Sequence, residues 1–190
     1  MERSLINYLQ LYRQIPEEDQ AHIEAAFELQ HYKEGDTLFA SGHKCRKFFF
    51  ICNGVLRIVV QNDGGKEVTH FFLKENSFCT ILHSFHSNAI ADESIEAACN
   101  ASVLAISKAG LLALYKQVPY LEGIIDQVTR QALIDKIQTR TAYLGADAAT
   151  RYKLFMMRQP DIALRVSQSD IASYLDITPQ SLSRIRKNIR

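Results

Sequence analysis

The chain has 190 residues, 47% of them apolar and 23% charged, with a formal net charge of +1. That length holds one domain or two small ones, and that balance excludes wholesale disorder and fibrous repeats. The total conceals a split: residues 141–190 hold eight Lys or Arg against four Asp, a net +4, and the preceding 140 hold 14 against 17, a net −3, as expected of an acidic body with a polyanion-binding end.

Met1-Glu2-Arg3-Ser4 leads into mixed polar and apolar residues, not a signal-peptide core. No run approaches the roughly 18 apolar residues of a membrane span. A cytoplasmic protein without a membrane partner is expected. Leu5, Ile6, Leu9, Leu11 and Ile15 predict a first helix ending near Pro16. Pro16-Glu17-Glu18-Asp19 reads as the acidic opening of a second, running to about Phe27. From Leu29 the texture changes to short runs of Phe, Ile and Val between turn residues such as Lys33-Glu34-Gly35-Asp36, Ser41-Gly42 and Asn62-Asp63-Gly64-Gly65. Asn53-Gly54, between Phe48–Cys52 and Val55–Val60, predicts a tight hairpin, because a type I′ turn needs positive φ at both central residues. Strands at this spacing predict an antiparallel sandwich or barrel over roughly residues 29–107. Cys45, Cys52, Cys79 and Cys99 form no CxxC pair, so no metal or iron–sulfur site is expected and the thiols are read as free.

After Ser107 the period turns helical. Lys108–Gln117 predicts a short helix, and Pro119 opens a long one to about Tyr143, about 35 Å at 1.5 Å per residue. Leu121, Ile124, Ile125, Val128, Ala132, Leu133 and Ile137 recur at steps of three and four. This stripe fits packing on its own domain or pairing with a second copy. The basic end that follows favours the second, with Leu121, Ile125, Val128 and Ala132 as candidate dimer contacts. In Leu144-Gly145-Ala146-Asp147, Gly145 reads as a helix stop and Asp147 as a cap.

The segment Val166–Lys187 is the most informative. Ser167 and Asp170 resemble a capping box with Asp in place of Glu. Ile171, Ala172 and Leu175 face inward, Asp176 makes the turn, Ile177 plugs the core, and Thr178 caps a second helix that Pro179 opens. Leu182 and Ile185 form that helix's inner stripe. Its outer face shows Gln180, Ser181, Arg184 and Lys187. Gln can bridge adenine, Arg can bridge guanine, and Ser, Thr and Lys suit phosphate oxygens. This is the helix-turn-helix layout, its second helix a major-groove reader. The DNA-binding candidates are Ser167, Thr178, Gln180, Ser181, Ser183, Arg184 and Lys187.

On these residues the chain resembles the Crp/Fnr-type bacterial transcription regulators. Ile171-Ala172-Ser173-Tyr174-Leu175, Ile177-Thr178-Pro179 and Leu182-Ser183-Arg184-Ile185 look like the helix-turn-helix of the branch common in Bacteroidetes-type bacteria. Lys33-Glu34-Gly35-Asp36-Thr37-Leu38-Phe39, Gly42 and Phe50–Val60 resemble the family's cyclic-nucleotide-binding-like β-roll. The resemblance implies an α+β protein. An antiparallel β-roll of the jelly-roll (double-stranded β-helix) kind, with flanking helices, would span 1–117 as a sensor. A dimerisation helix would span 118–144, and a small winged helix-turn-helix domain 145–190. It also implies that Gln180 and Arg184 read bases and Lys187 meets phosphate. Asp176 departs from the usual turn glycine, and Pro179 removes one polar contact.

The family's nucleotide-binding members open a phosphate cassette with Phe-Gly-Glu and pair the cyclic phosphate with a later Arg. Here Cys79-Thr80 follows Phe78, no Lys or Arg occurs between Lys74 and Lys108, and Ala91-Asp92-Glu93 stands where the Arg should be. A phosphate needs a charge-assisted donor, so no cofactor is expected and a cyclic nucleotide is argued against. Phe78, Cys79, Thr80, His83, His86 and Asp92 remain the candidate effector pocket. His83 and His86 suit a chelate or an anion site, but no third metal ligand stands at a useful spacing. An enzyme of the cupin kind would need His-x-His, which is absent. The function expected is a homodimeric transcription regulator on a palindromic site. Its candidate partners are double-stranded DNA, RNA polymerase and an unknown small-molecule effector. The alternative is a ligand-binding regulatory β-roll that acts through protein partners without DNA.

Overall fold

The computed structural model describes residues 4–62 and 64–189. Two short helices open the chain, α1 (Ser4–Leu9) and α2 (Glu17–Ala26). The first is shorter than the apolar spacing predicts, because Gln10–Arg13 coil into turns and leave Leu11 77% exposed. Glu17, Glu18 and Asp19 crowd the first turn of α2, where negative charge meets the positive end of the helix dipole.

Among the described residues eight strands follow: β1 (Glu28–Tyr32), β2 (Thr37–Phe39), β3 (Lys47–Asn53), β4 (Leu56–Gln61), β5 (Glu67–Leu73), β6 (Phe78–Cys79), β7 (Glu93–Ala97) and β8 (Ala101–Ser107). The short helix α3 (Leu82–Ser87) lies between β6 and β7. The strands form two antiparallel sheets, ordered β1-β8-β3-β6 and β2-β7-β4-β5, the sandwich expected from the sequence. Strand β3 explains its own Phe-Phe-Phe-Ile run. Phe49 and Ile51 enter the core between the sheets with Leu56, Ile95 and Val103. Phe48 and Phe50 point the other way and pack under the flanking helices with Phe27, Leu111 and Leu121. A strand buried on both faces loses the polar alternation of a half-exposed one.

The hairpin expected at Asn53-Gly54 is not formed. Strand β3 pairs with β6 and β8, whereas β4 pairs with β5 and β7. Gly54, at φ +95°, turns the corner from one sheet to the other. The hairpin joins β4 to β5, where Asn62 N–H donates to the Lys66 carbonyl at 2.9 Å and Gly65 N–H to the Asn62 carbonyl at 2.8 Å.

Helix α4 (Lys108–Gln117) is capped by Ser107, whose Oγ accepts from Gly110 N–H at 3.0 Å. The long helix α5 (Tyr120–Thr141) follows, 22 residues as the period foretold. Its stripe divides. Leu121, Ile124, Ile125 and Val128 are buried in the chain's own core with Leu5, Ile6 and Phe27. Leu121, Ile125 and Val128 are therefore covered by the chain itself, and Ala132 is half-buried. One turn on, Leu133, Ile134 and Ile137 are 43%, 42% and 57% exposed.

After α5 the chain turns through Gly145, φ +75°, and the next helix starts with Asp147 accepting from Thr150 N–H at 2.7 Å, the cap that the sequence indicates. Helices α6 (Ala148–Arg158), α7 (Pro160–Ala163), α8 (Gln168–Tyr174) and α9 (Pro179–Ile189) complete the chain. Their core, centred on Phe155, Ala172, Leu175 and Leu182, also takes in Val55, Phe72 and Ala98 of the roll. The C-terminal helices thus share a core with the roll. Among the described residues beyond 145 no strand occurs, so the expected wing is not found.

Candidate nucleic-acid interface

Helices α8 and α9 are fixed by local chemistry. Ser167 Oγ accepts from Asp170 N–H at 3.1 Å and starts α8. The return half of the capping box is missing, because the Asp170 carboxylate reaches across to Arg57 instead. The turn passes through Asp176 at φ +53°, a left-handed conformation that Asp tolerates better than most residues. Ile177 N–H donates to the Ala172 carbonyl at 3.0 Å, so the two helices cross over a residue with no exposed surface. Thr178 Oγ1 accepts from Ser181 N–H at 3.1 Å and starts α9. Leu182, fully buried, seals the inner face of α9, and Ile185 packs beside it.

Of the seven predicted contacts, Gln180, Ser183, Arg184 and Lys187 are exposed on α9. Thr178 is exposed but its hydroxyl is spent on the cap. Ser181 is half-buried, with its hydroxyl 3.0 Å from that of Thr178, and the half-buried Ser167 is a cap. A shallow groove of about 210 Å³ between the two helices is lined by Gln168, Ser183, Arg186 and Lys187. Gln168 and Arg186 escaped the sequence reading, since neither lies on the outward stripe of α9.

The unit is held on the roll by polar contacts that the sequence also conceals. Arg57 on β4 donates to Glu96 at 2.7 Å, pairs with Asp170, and approaches Glu67 at 3.6 Å. Arg165 grips Glu75 with both guanidinium nitrogens, one at 2.9 Å, and Gly54 N–H donates to the same carboxylate at 2.7 Å. Lys74 pairs with Asp161 at the surface. Thr69 N–H donates to Ser173 Oγ at 2.9 Å, tying α8 to β5. The three cross-unit ion pairs join residues 113, 90 and 87 positions apart, separations at which no periodicity survives.

Burial pushes the Glu75 carboxyl up, but the Arg165 guanidinium and backbone donors outweigh it and hold it below the ordinary carboxylate value. Lys74 does the same for Asp161. A carboxylate with a depressed folded pKa stabilises the fold above its unfolded pKa, near 4, and that contribution is lost as pH falls through the folded value. Melting temperature should therefore decline below about pH 4. Glu75→Gln with Arg165→Met should flatten part of that decline in a calorimetric pH series; an unchanged profile would remove the pair from the acid response.

Two four-stranded antiparallel sheets with a helix between β6 and β7 define the roll. Residues 29–118 match the cyclic nucleotide-binding domain family. Solved structures share the fold of most of the chain. The c-di-GMP-responsive global regulator CLP of Xanthomonas campestris superposes with a TM-score of 0.72 at 13% identity, covering 92% of this chain and 91% of that one. FixK2 of Bradyrhizobium japonicum gives 0.72 at 15%, covering 86% and 84%. A Crp/Fnr-family transcriptional regulator described as putative, from Eubacterium rectale, gives 0.72 at 17%, covering 96% and 87%. No curated protein matches the sequence.

Inside the roll the six candidate pocket residues part company. Phe78, Cys79 and Thr80 are buried. Phe78 stacks on Phe48 with centroids 5.0 Å apart, and Thr80 Oγ1 donates to the Lys47 carbonyl at 2.9 Å. Burial pushes the Cys79 thiol up to about 12, so it stays protonated. His83, His86 and Asp92 are exposed at the surface. The six thus divide between core and surface. Lys108 places its ammonium on the carbonyls of Phe85 and His86, at the C-terminal end of α3. No three His, Cys, Asp or Glu residues among those described gather as a metal site, and no described helix is long and apolar enough to cross a membrane.

Proposed function

We propose that the protein is a sequence-specific DNA-binding transcription regulator of Crp/Fnr type, with α8 and α9 as its helix-turn-helix. One observation carries this: α9 seals Leu182 into the core and leaves Gln180, Ser183, Arg184 and Lys187 on the exposed side. Those residue types suit base edges and phosphates. The basic C-terminal end and the shared fold with Crp/Fnr regulators support it. Selection from random duplexes, followed by fluorescence anisotropy, tests it. Arg184→Ala should cost about 1–3 kcal/mol on the selected site and relax one position per half-site. Equal weakening on selected and random DNA would make Arg184 a phosphate contact. Enrichment of no duplex would reject the reading and leave action through a protein partner.

The regulator acts as a homodimer, its two α9 helices entering major grooves about 34 Å apart. The pairing surface is Leu133, Ile134 and Ile137, the exposed continuation of the stripe on α5. Ile137→Glu should yield a monomer in sedimentation with an unchanged melting temperature. Ile125→Glu places a charge in the chain's own core and should unfold it. A dimer that survives Ile137→Glu would place the interface elsewhere. The regulator works without a cyclic nucleotide: Cys79 and Thr80 replace the cassette residues and turn inward, and Lys108 is engaged by the carbonyls that end α3.

A further inference from the structure

Between the two N-terminal helices and the edge of the roll, the structure leaves a cavity of about 280 Å³. Its walls include Leu5 of α1, Glu24 and Ala25 of α2, Phe27, Leu29 of β1 and Leu104 of β8. Leu29 and Leu104 stand opposite each other in the β1–β8 pairing. Leu104 and Phe27 are buried, but Leu29 keeps 37% of its surface exposed. Leu104 belongs to the layer under the flanking helices, whereas Val103 and Ala105 turn into the roll interior. The cavity therefore lies outside the roll, and no described residue of α5 lines it. Glu24 is the one charged wall group among the described residues, and it joins no ion pair there. From Ser4 to Tyr32 the chain holds five carboxylates, Glu17, Glu18, Asp19, Glu24 and Glu28, against one guanidinium, Arg13. Arg13 lies over the Tyr120 ring, 4.3 Å from its centroid. Next to Leu5 in the chain, the buried Ser4 hydroxyl has no hydrogen-bond partner among the described residues.

A half-exposed leucine in a concave apolar wall is wet surface that an aliphatic body would cover. A carboxylate without a partner, in an acidic neighbourhood, selects positive charge. An unpaired buried hydroxyl accepts a hydrogen bond from a donor that reaches it. At about 30 Å³ for each water-sized group, the cavity has room for about nine. We propose that this cavity binds a small organic cation, an ammonium group on an aliphatic body. The ammonium meets Glu24, and the body lies against Phe27, Leu29 and Leu104. Glu24 is exposed, so the ammonium keeps part of its water and the desolvation cost stays low. An occupant touches α1, α2 and the edge strand β1 at once. The site is separate from the roll interior, where Cys79 and Thr80 are packed, and from the outward side of α9.

Calorimetric titration of the full chain with n-hexylammonium, n-hexanol, n-hexanoate and methylammonium tests this directly. The readout involves no DNA, so its failure is separate from failure of the regulator reading. Hexylammonium should bind tightest. Hexanol, which lacks the charge, should bind about threefold more weakly. Methylammonium, which lacks the body, and hexanoate, which carries the opposite charge, should each bind about tenfold more weakly or worse. Glu24→Gln should remove the preference for hexylammonium over hexanol without lowering the melting temperature, since Glu24 is exposed and joins no described ion pair. Glu34→Gln, which removes an exposed carboxylate outside the cavity, should leave that preference intact. Ala25→Trp, which fills the cavity from the exposed side of α2, should abolish binding of hexylammonium and hexanol alike. No binding of hexylammonium, equal binding of hexanoate, or binding indifferent to either Glu24→Gln or Ala25→Trp, would overturn the proposal.

Discussion

A Gly54→Ala protein should melt about 6–20 °C below the parent, from about 3–5 kcal/mol lost at 2–4 °C per kcal/mol in a chain of this size. Two costs combine. Gly54 sits at φ +95°, a region closed to most side chains, and a Cβ there would stand 2.5 Å from the Asn100 carbonyl oxygen and 2.7 Å from Ala101 Cα. Those atoms are backbone at the start of β8, so relief requires moving a strand. Gly35, at φ +86° with nothing within 4 Å of an added Cβ, is the matched control. Gly35→Ala should cost only the conformational part, about 1–2 kcal/mol. Circular dichroism melting of both proteins decides; equal losses would mean that the Gly54 corner has room to relax.

Arg57→Met should destabilise the full chain by about 2–3 kcal/mol. The side chains of Arg57, Glu96 and Asp170 are only 16%, 13% and 15% exposed. Removing the one cation leaves two screened carboxylates facing each other; the range is set below the 3–5 kcal/mol of a fully buried pair because some water reaches the site. Asp170→Asn keeps the shape and removes one charge, so on the Arg57→Met background it should recover part of the loss. Urea unfolding of the four members of that cycle gives the coupling. An additive result would show that Arg57 stabilises the roll alone and does not hold α8.

The elements most legible in the sequence were those with a local chemical mark. Asp147, Ser167 and Thr178 each cap the helix that their spacing announced. Asp176 takes the left-handed turn where a glycine is more usual. Asn53-Gly54 misled because positive φ serves a corner between sheets as well as a hairpin. The stripe on α5 showed one apolar face without showing that the roll covers its first half. Least legible were Arg57, Glu75 and Arg165, whose neighbours are set by the packing of distant segments. On α9, Gln180, Arg184 and Lys187 were read as outward-facing because they share one side of a short helix. Arg186, which lies off that side, was not.

The ion pairs between roll and C-terminal helices bear on how DNA affinity is measured. Added salt weakens a protein–DNA complex by making counterion release less favourable. The same salt screens Lys74–Asp161, both of whose side chains are largely exposed, and to a lesser degree Arg165–Glu75. For the proposed DNA complex, a salt titration therefore follows two equilibria, release from phosphate and loosening of the unit that carries α9. Its slope would overstate the number of phosphates contacted. Repeating the titration with Lys74→Met and Asp161→Asn together, which removes the most exposed pair, separates the two contributions.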